Sequence, residues 1–192
     1  MDNLTDIQLI KIFNGGNAKA FEGIVNKYAQ SVNNFVSYLI NNTEEAKDIT
    51  QDTFVKVWRN LEKFDTNRNF KTWVFTIAKR SAIDYLRKRK NVNFSSLDNE
   101  DTDLDFSQNI PDEELLAHEI FEINENIDLV NKALETISVE SKMIVLLYNG
   151  EEMTFDEIAE ILEKPMNTVK SQYRRALISL KKAITLIQAP KP

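Results

Sequence analysis

At 192 residues and 42% apolar content, the chain is long enough for one large domain or two small ones, and its four Gly and four Pro allow few sharp turns, so helices are expected. The absence of cysteine excludes disulfides, thiolate zinc sites and cysteine nucleophiles, and fits a reducing compartment. The net charge of −6 is unevenly spread: residues 1–90 carry 15 Lys and Arg against 10 Asp and Glu, residues 91–130 carry 12 acidic residues and no Lys or Arg, and residues 131–192 carry 9 against 8.

In chain order, MDNLTDIQLIKIFNGG has acidic residues and no basic region ahead of its apolar positions, so it does not read as a secretory signal. No apolar run approaches the roughly 18 residues of a membrane span, and a soluble, cytoplasmic protein is expected. Thr5 and Gln8 make a capping box. The helix it opens carries Ile7, Ile10 and Phe13 on one face and stops at Gly15-Gly16. A second helix is expected from about Ala18 to Ile40, with Phe21, Ile24, Val25, Tyr28, Val32, Phe35, Val36 and Leu39 as its apolar stripe. A third starts near Thr43 and runs through EEAKDITQDTFVKVWRNLEKF, with Ala46, Ile49, Phe54, Val57, Trp58 and Leu61 inward. Asp48, Gln51 and Asp52 share its polar side, either as an ordinary solvated face or as a docking surface for a basic partner.

Asp65–Asn69 is polar and turn-prone, and a long helix is expected from Asn69 or Phe70 onward. Its apolar stripe is Phe70, Trp73, Val74, Ile77, Ala78, Ser81, Tyr85 and Leu86. The other face carries Lys71, Lys79, Arg80, Arg87, Lys88, Arg89 and Lys90, against which stands only Asp84. A basic face beside aromatics and a polar loop suits a single nucleic-acid strand, because phosphates need point charges and unstacked bases need π faces or polar groups. A basic amphipathic helix can also bind an acidic membrane.

The acidic piece that follows, NVNFSSLDNEDTDLDFSQNIPDEE, has linker composition. It is either a solvated tether or a segment that occupies a basic channel in a partner. Beyond Pro111, Leu115, Leu116, Ile120, Phe121, Ile123 and Ile127 recur as in a helix leading into a second domain. Residues 135–182 then read as helix, helix, short turn, helix. Ser138 caps a helix through Tyr148 that ends at Gly150. Thr154-Phe155-Asp156-Glu157 is a second capping box, and it opens a short helix with Ile158, Ala159, Ile161 and Leu162 inward and Pro165 as its stop. A third helix begins near Asn167 or Thr168, with Val169, Tyr173, Ala176, Leu177, Leu180 and Ile184 along its inner face. A short helix, a tight turn and a longer helix with a basic front make a helix-turn-helix. The basic helix, MNTVKSQYRRALISLKK, exposes Lys170, Ser171, Gln172, Arg174 and Arg175 in its first turns. Such a helix fits the major groove, where Arg pairs with guanine and Gln with adenine. The plainer reading is a solvated basic face on a helical hairpin.

Three stretches together resemble the extracytoplasmic-function group of bacterial RNA polymerase sigma factors. EEAKDITQDTFVKVWRNLEKF is similar to that family's core-binding segment, NFKTWVFTIAKRSAIDYLRKRK to its promoter-melting helix, and MTFDEIAEILEKPMNTVKSQYRRALISLKK to its minus-thirty-five-binding helix-turn-helix. The resemblance implies an all-α protein: a sigma-2 domain over residues 1–90, an acidic linker over 91–127, and a sigma-4 domain over 128–188. It implies that Asp48, Gln51, Asp52 and Lys56 meet the beta-prime clamp helices of core polymerase, and that sigma-4 meets the beta flap. The minus-ten element would be held by Asp65, Thr66, Asn67, Arg68, Asn69, Lys71, Trp73, Lys79, Arg80 and Arg87, with a flipped base received by the loop. Thr168, Lys170, Ser171, Gln172, Arg174 and Arg175 would read the minus-thirty-five element. The linker would thread the RNA exit path. An anti-sigma protein is implied as a further partner, with no cofactor, no metal, no catalysis and no membrane contact of the chain's own. Two departures concern the target sequence: Gln172 and Tyr173 stand where many relatives have Arg and a small or basic residue. Little sequence follows sigma-4, so no appended sensory domain is expected.

The lone histidine, His118, is expected to be exposed or structural. Asp101 and Asp103 pair carboxylates in the linker without a scaffold, which argues against an enzyme acting on nucleic acid. A stand-alone helix-turn-helix regulator is the alternative, but it leaves Asp48–Asp52 and the acidic linker without a role.

Overall fold

The computed structural model describes residues 4–90 and 127–188. Residues 91–126, with His118, Asp101, Asp103 and the expected helix from Leu115 up to but not including Ile127, lie outside the described residues. The protein is all-α, with two compact units.

The first unit contains α1 (Asp6–Asn14), α2 (Ala20–Ile40), α3 (Thr43–Asn60), a 3-10 turn (Leu61–Lys63) and α4 (Phe70–Lys90). Its boundaries are set by side chains that replace missing backbone partners. The Gln8 amide donates to Thr5 Oγ1 at 3.3 Å and the Thr5 amide to Gln8 Oε1 at 2.8 Å, completing the expected box. Gly16, at φ 94, turns the chain after α1 in a conformation that side chains disfavour. Asn17 Oδ1 accepts from the Lys19 amide, and the amides of Ala20, Phe21 and Glu22 bond three residues back, so a tight turn through Ala18 and Lys19 leads into α2, which starts at Ala20. Asn41 takes the left-handed φ of 51 that ends α2, and Asn42 Oδ1 accepts from the amides of Glu44 and Glu45 to open α3. The third helix tightens into the 3-10 turn before reaching Phe64.

α2 packs against both α3 and α4, α3 packs on α4, and α1 lies across α2. The buried centre is Ile24, Val32, Phe35 and Val36 of α2, Ala46 and Val57 of α3, Leu61, and Val74, Phe75, Ala78 and Ala82 of α4. Edge-on ring pairs Phe35–Phe75 at 5.6 Å and Phe64–Phe70 at 5.1 Å lock it.

Three expected stripes are corrected here. On α1, Ile7 is 42% exposed and Leu9 is buried in its place. Gly23 makes room for it: a Cβ there would stand 2.9 Å from Leu9 Cδ2, and the leucine tip would have to shift. On α3, Trp58 is 41% exposed and sits at the rim, edge-on to Phe13 and Phe21, each at 4.8 Å. On α4, the fully buried Phe75 lay outside the expected stripe, while Trp73 and Ile77 are only half-buried. Because α4 packs against two helices, its inner sector is broad and centres on Val74, Phe75, Ala78 and Ala82.

The second unit contains α5 (Ile127–Leu134), α6 (Val139–Val145) running into a π turn (Leu146–Gly150), α7 (Phe155–Leu162) and α8 (Met166–Gln188). α8 packs on α5 and α6. Ser138 caps α6, its Oγ accepting from the Ser141 amide. Thr154 and Glu157 form the second capping box, with bonds of 2.8 and 3.3 Å. α7 ends in a Schellman pattern: Glu163 is left-handed at φ 59, the Lys164 amide reaches Ala159 O, and the Glu163 amide reaches Glu160 O. Pro165 does more than stop α7. Its carbonyl accepts from the amides of Thr168 and Val169, so α8 begins at Met166, earlier than expected. All six expected inner residues of α8, from Val169 to Ile184, are buried, joined by Ala183.

Candidate functional site

On α8 the buried stripe determines what the opposite side can do. At 3.6 residues per turn, Ser171, Arg174 and Arg175 fall on the side away from Val169 and Tyr173, while Lys170, seven residues before Leu177, borders the buried stripe near the helix start and is exposed. Lys181 and Lys182 extend the same side and are exposed. The first turn of α8 has no acidic residue, so its positive helix end is not offset from within the helix. Ser171 Oγ donates to Thr168 O at 2.9 Å, and the Arg175 guanidinium folds back over Ser171, with contacts of 3.4 Å to its carbonyl and hydroxyl oxygens. The Lys170 ammonium lies 5.8 Å from the ring centroid of Phe155. Gln172 sits at the edge of the stripe, half-buried, and its Oε1 has no hydrogen-bond partner among the described residues.

In the first unit, the loop ahead of α4 is built by its own side chains. Asp65 Oδ1 accepts from the amide and side-chain nitrogen of Asn67 at 3.0 and 2.9 Å, and Asn69 Oδ1 accepts from the Thr72 amide to cap α4. Asp65 and Asn69 thus hold the loop's shape, while Thr66, Asn67 and Arg68 present exposed surface. Trp73 packs behind them against Phe64 at 5.0 Å and Phe70 at 5.6 Å. Lys71 lies over the Phe75 ring at 5.9 Å. Lys79 and Arg80 come two turns further along α4, and Arg87 stands within 3.9 Å of Asp84.

Asp48, Gln51 and Asp52 are brought together at the mouth of a polar groove of about 540 Å³ between α3 and α4. Lys56 bridges the two helices, its Nζ donating to Ser81 Oγ at 2.8 Å. Glu45, Asp84, Tyr85 and Lys88 line the same groove. They escape a reading of the polar side of α3, because three of the four come from α4. A second groove of about 690 Å³, between α2 and α3, is apolar and includes Phe21, Val25, Phe54, Val55 and Trp58. Its signal in the sequence is masked, since stripe residues at a rim look like stripe residues in a core.

No helix among the described residues is long and apolar enough to cross a membrane, and no group of three or more His, Asp or Glu there is placed to hold a metal ion.

The model of sigma-70 region 2 matches residues 24–92, and that of sigma-70 region 4 matches residues 127–180. The chain is 30% identical over 177 residues to the ECF RNA polymerase sigma factor SigW of Bacillus subtilis, covering 91% of this chain and 94% of that protein. It is 28% identical over 182 residues to the ECF RNA polymerase sigma-E factor of Haemophilus influenzae, covering 91% and 93%. Among solved structures it shares the fold of CnrH, determined in complex with the cytosolic domain of CnrY, at a TM-score of 0.67 and 21% identity over 95% of this chain and 97% of that one. RpoE of Bartonella quintana, solved with the anti-sigma factor NepR, gives a TM-score of 0.66 at 20% identity, covering 88% and 98%.

Proposed function

The chain belongs to the extracytoplasmic-function group of the sigma-70 family, the RNA polymerase sigma factors of transcription initiation, and from that membership we propose how its two units divide the work. Residues 1–90 act as sigma-2, residues 128–188 as sigma-4, and residues 91–127 as the acidic tether between them. The chain supplies specificity rather than catalysis, and it works in the cytoplasm with the polymerase.

Sigma-4 lays α8 in the major groove of the minus-thirty-five element. The observation that carries this assignment is the division of α8 into an unbroken buried stripe and a second side, bordered by Lys170, that bears Ser171, Arg174 and Arg175. Arg174 and Arg175 are the base readers, and Lys170 and Thr168, with the positive end of the helix, hold phosphates. Gln172 acts from the edge of this surface.

Sigma-2 does two things. The Asp48, Gln51 and Asp52 side of the polar groove meets the beta-prime clamp helices, with Lys56 holding α3 to α4. The Asp65–Asn69 loop receives an extruded minus-ten base: Asp65 and Asn69 keep the loop in shape, which lowers the ordering cost of capture. Trp73, Lys71, Lys79, Arg80 and Arg87 then support the displaced strand. Extrusion costs a few kcal/mol, offset by the loop's contacts. An anti-sigma protein is a further partner, a reading supported by the similarity to RpoE, which was solved with one.

The test is transcription from a pool of genomic fragments with bacterial core polymerase alone, with this protein alone, and with both. Defined transcripts only from the combination are expected. Specific duplex binding by the protein alone, without polymerase binding, would overturn the division of roles and favour a stand-alone regulator.

A further inference from the structure

Phe155 is the first residue of α7, in the short helix that precedes the recognition helix. Its ring stacks on Tyr148 of the π turn, with centroids 4.4 Å apart and planes inclined by 17°, and meets Tyr173 of α8 at 5.4 Å and 65°. Tyr148 and Tyr173 close the triangle at 4.7 Å. The triangle is pinned at one corner: Tyr173, buried, donates its hydroxyl to Asn149 Oδ1 at 3.1 Å, and Asn149 Nδ2 donates to Val145 O at 3.1 Å. Three chain segments thus fix one ring, and the Lys170 ammonium lies 5.8 Å from its centroid.

An aromatic face is the negative end of a quadrupole and attracts an ammonium within about 6 Å. Lysine has a flexible four-carbon stem, so on an exposed helix its charge is spread over many positions. A ring beside it restricts those positions while leaving N–H donors free on the far side. The ring belongs to α7 and packs on Tyr173 at the start of the inner stripe of α8, so it reaches Lys170 from outside the recognition helix.

We propose that Phe155 is a positioning residue for promoter recognition: held by Tyr148 and Tyr173, its ring orients the Lys170 ammonium toward a backbone phosphate of the minus-thirty-five element. The proposal rests on the assignment of α8 as the recognition helix and deepens it. It adds a residue that does not itself touch DNA.

The experiment uses the full chain assembled with core polymerase on a promoter duplex, measuring the dissociation constant across a salt series. Lys170→Gln should weaken binding and lower the slope of log K against log salt by about one, the signature of a lost phosphate contact. Phe155→Leu should weaken binding about two- to fivefold, and Phe155→Tyr should retain wild-type affinity. A fluorinated phenylalanine at 155, which keeps the ring's shape and withdraws charge from its face, should match Phe155→Leu without lowering the unfolding temperature. That arm holds even if the leucine variant folds poorly. In the Lys170→Gln background, each change at 155 should add nothing.

Equal losses from fluorination in the wild-type and Lys170→Gln backgrounds, or none in either, would overturn the positioning role while leaving the recognition helix intact. A Lys170→Gln variant with unchanged affinity and salt slope would instead overturn the assignment of Lys170 as a phosphate contact, and the role of Phe155 with it.

Discussion

Asp6 serves two partners from the first turn of α1. Its Oδ1 pairs with Lys27 at 2.6 Å and its Oδ2 accepts the Tyr28 hydroxyl at 2.7 Å. Burial, and then the bond and charge of Asp6, push the Tyr28 phenol well above its ordinary value of 10.0. The neutral phenol is therefore the form the fold favours, and its contribution to stability is full below pH 10 and lost as pH rises beyond it. Thermal unfolding followed above that pH should fall more steeply for the wild type than for Tyr28→Phe; parallel curves would show that the hydroxyl does not titrate with unfolding. Gly23 poses a contest of two effects. Alanine there gains about 1 kcal/mol of helix propensity. It also forces a Cβ against Leu9, which is buried and has little room to yield, at a cost of about 1–3 kcal/mol. Gly23→Ala should therefore lower stability by about 1 kcal/mol in denaturant unfolding. A variant as stable as wild type would mean that α1 shifts to make room.

At the level of elements, the helix-turn-helix is set by its ends as much as by its stripes. The Thr154–Glu157 box starts α7, the Glu163 turn ends it, and the Pro165 carbonyl starts α8. Thr154→Ala should cost about 1 kcal/mol of stability, with Thr154→Ser close to wild type, as read by thermal unfolding. Because the cap also fixes where α7 begins, and Phe155 is its first residue, the alanine change should weaken minus-thirty-five binding as well. Both capping boxes could be read directly in the sequence, since their chemistry is local and spans four residues. The six-residue stripe of α8 was equally legible, because its buried positions keep to one narrow side of the helix although two helices pack on it. The stripe of α4 was not: its buried sector also takes in Thr72, Phe75 and Ala82, which a stripe counted from Phe70 leaves out, while Trp73 falls at its edge.

For the whole molecule, charge is divided along the chain. Residues 91–130 carry 12 acidic residues beside two pieces that are neutral to basic. The field of such a segment should oppose binding of the free chain to DNA, and the effect should weaken with salt. Replacing the Asp and Glu of 91–126 by Asn and Gln should tighten DNA binding by the free chain several-fold at low salt, and the gain should vanish at high salt. An equal affinity at low salt would show that the acidic segment does not restrain DNA binding. The all-α class, the two capping boxes, the helix-turn-helix and the family were legible from residues alone, since each rests on short-range pattern: residue spacing, backbone satisfaction and motif order. Which aromatics are core and which are rim, the reach of Lys56 to Ser81, the shaping of the loop by Asp65 and Asn69, and the approach of Phe155 to Lys170 emerge from packing. Those outcomes depend on which helices meet and at what distance, and a periodic pattern on one helix carries no information about its neighbour.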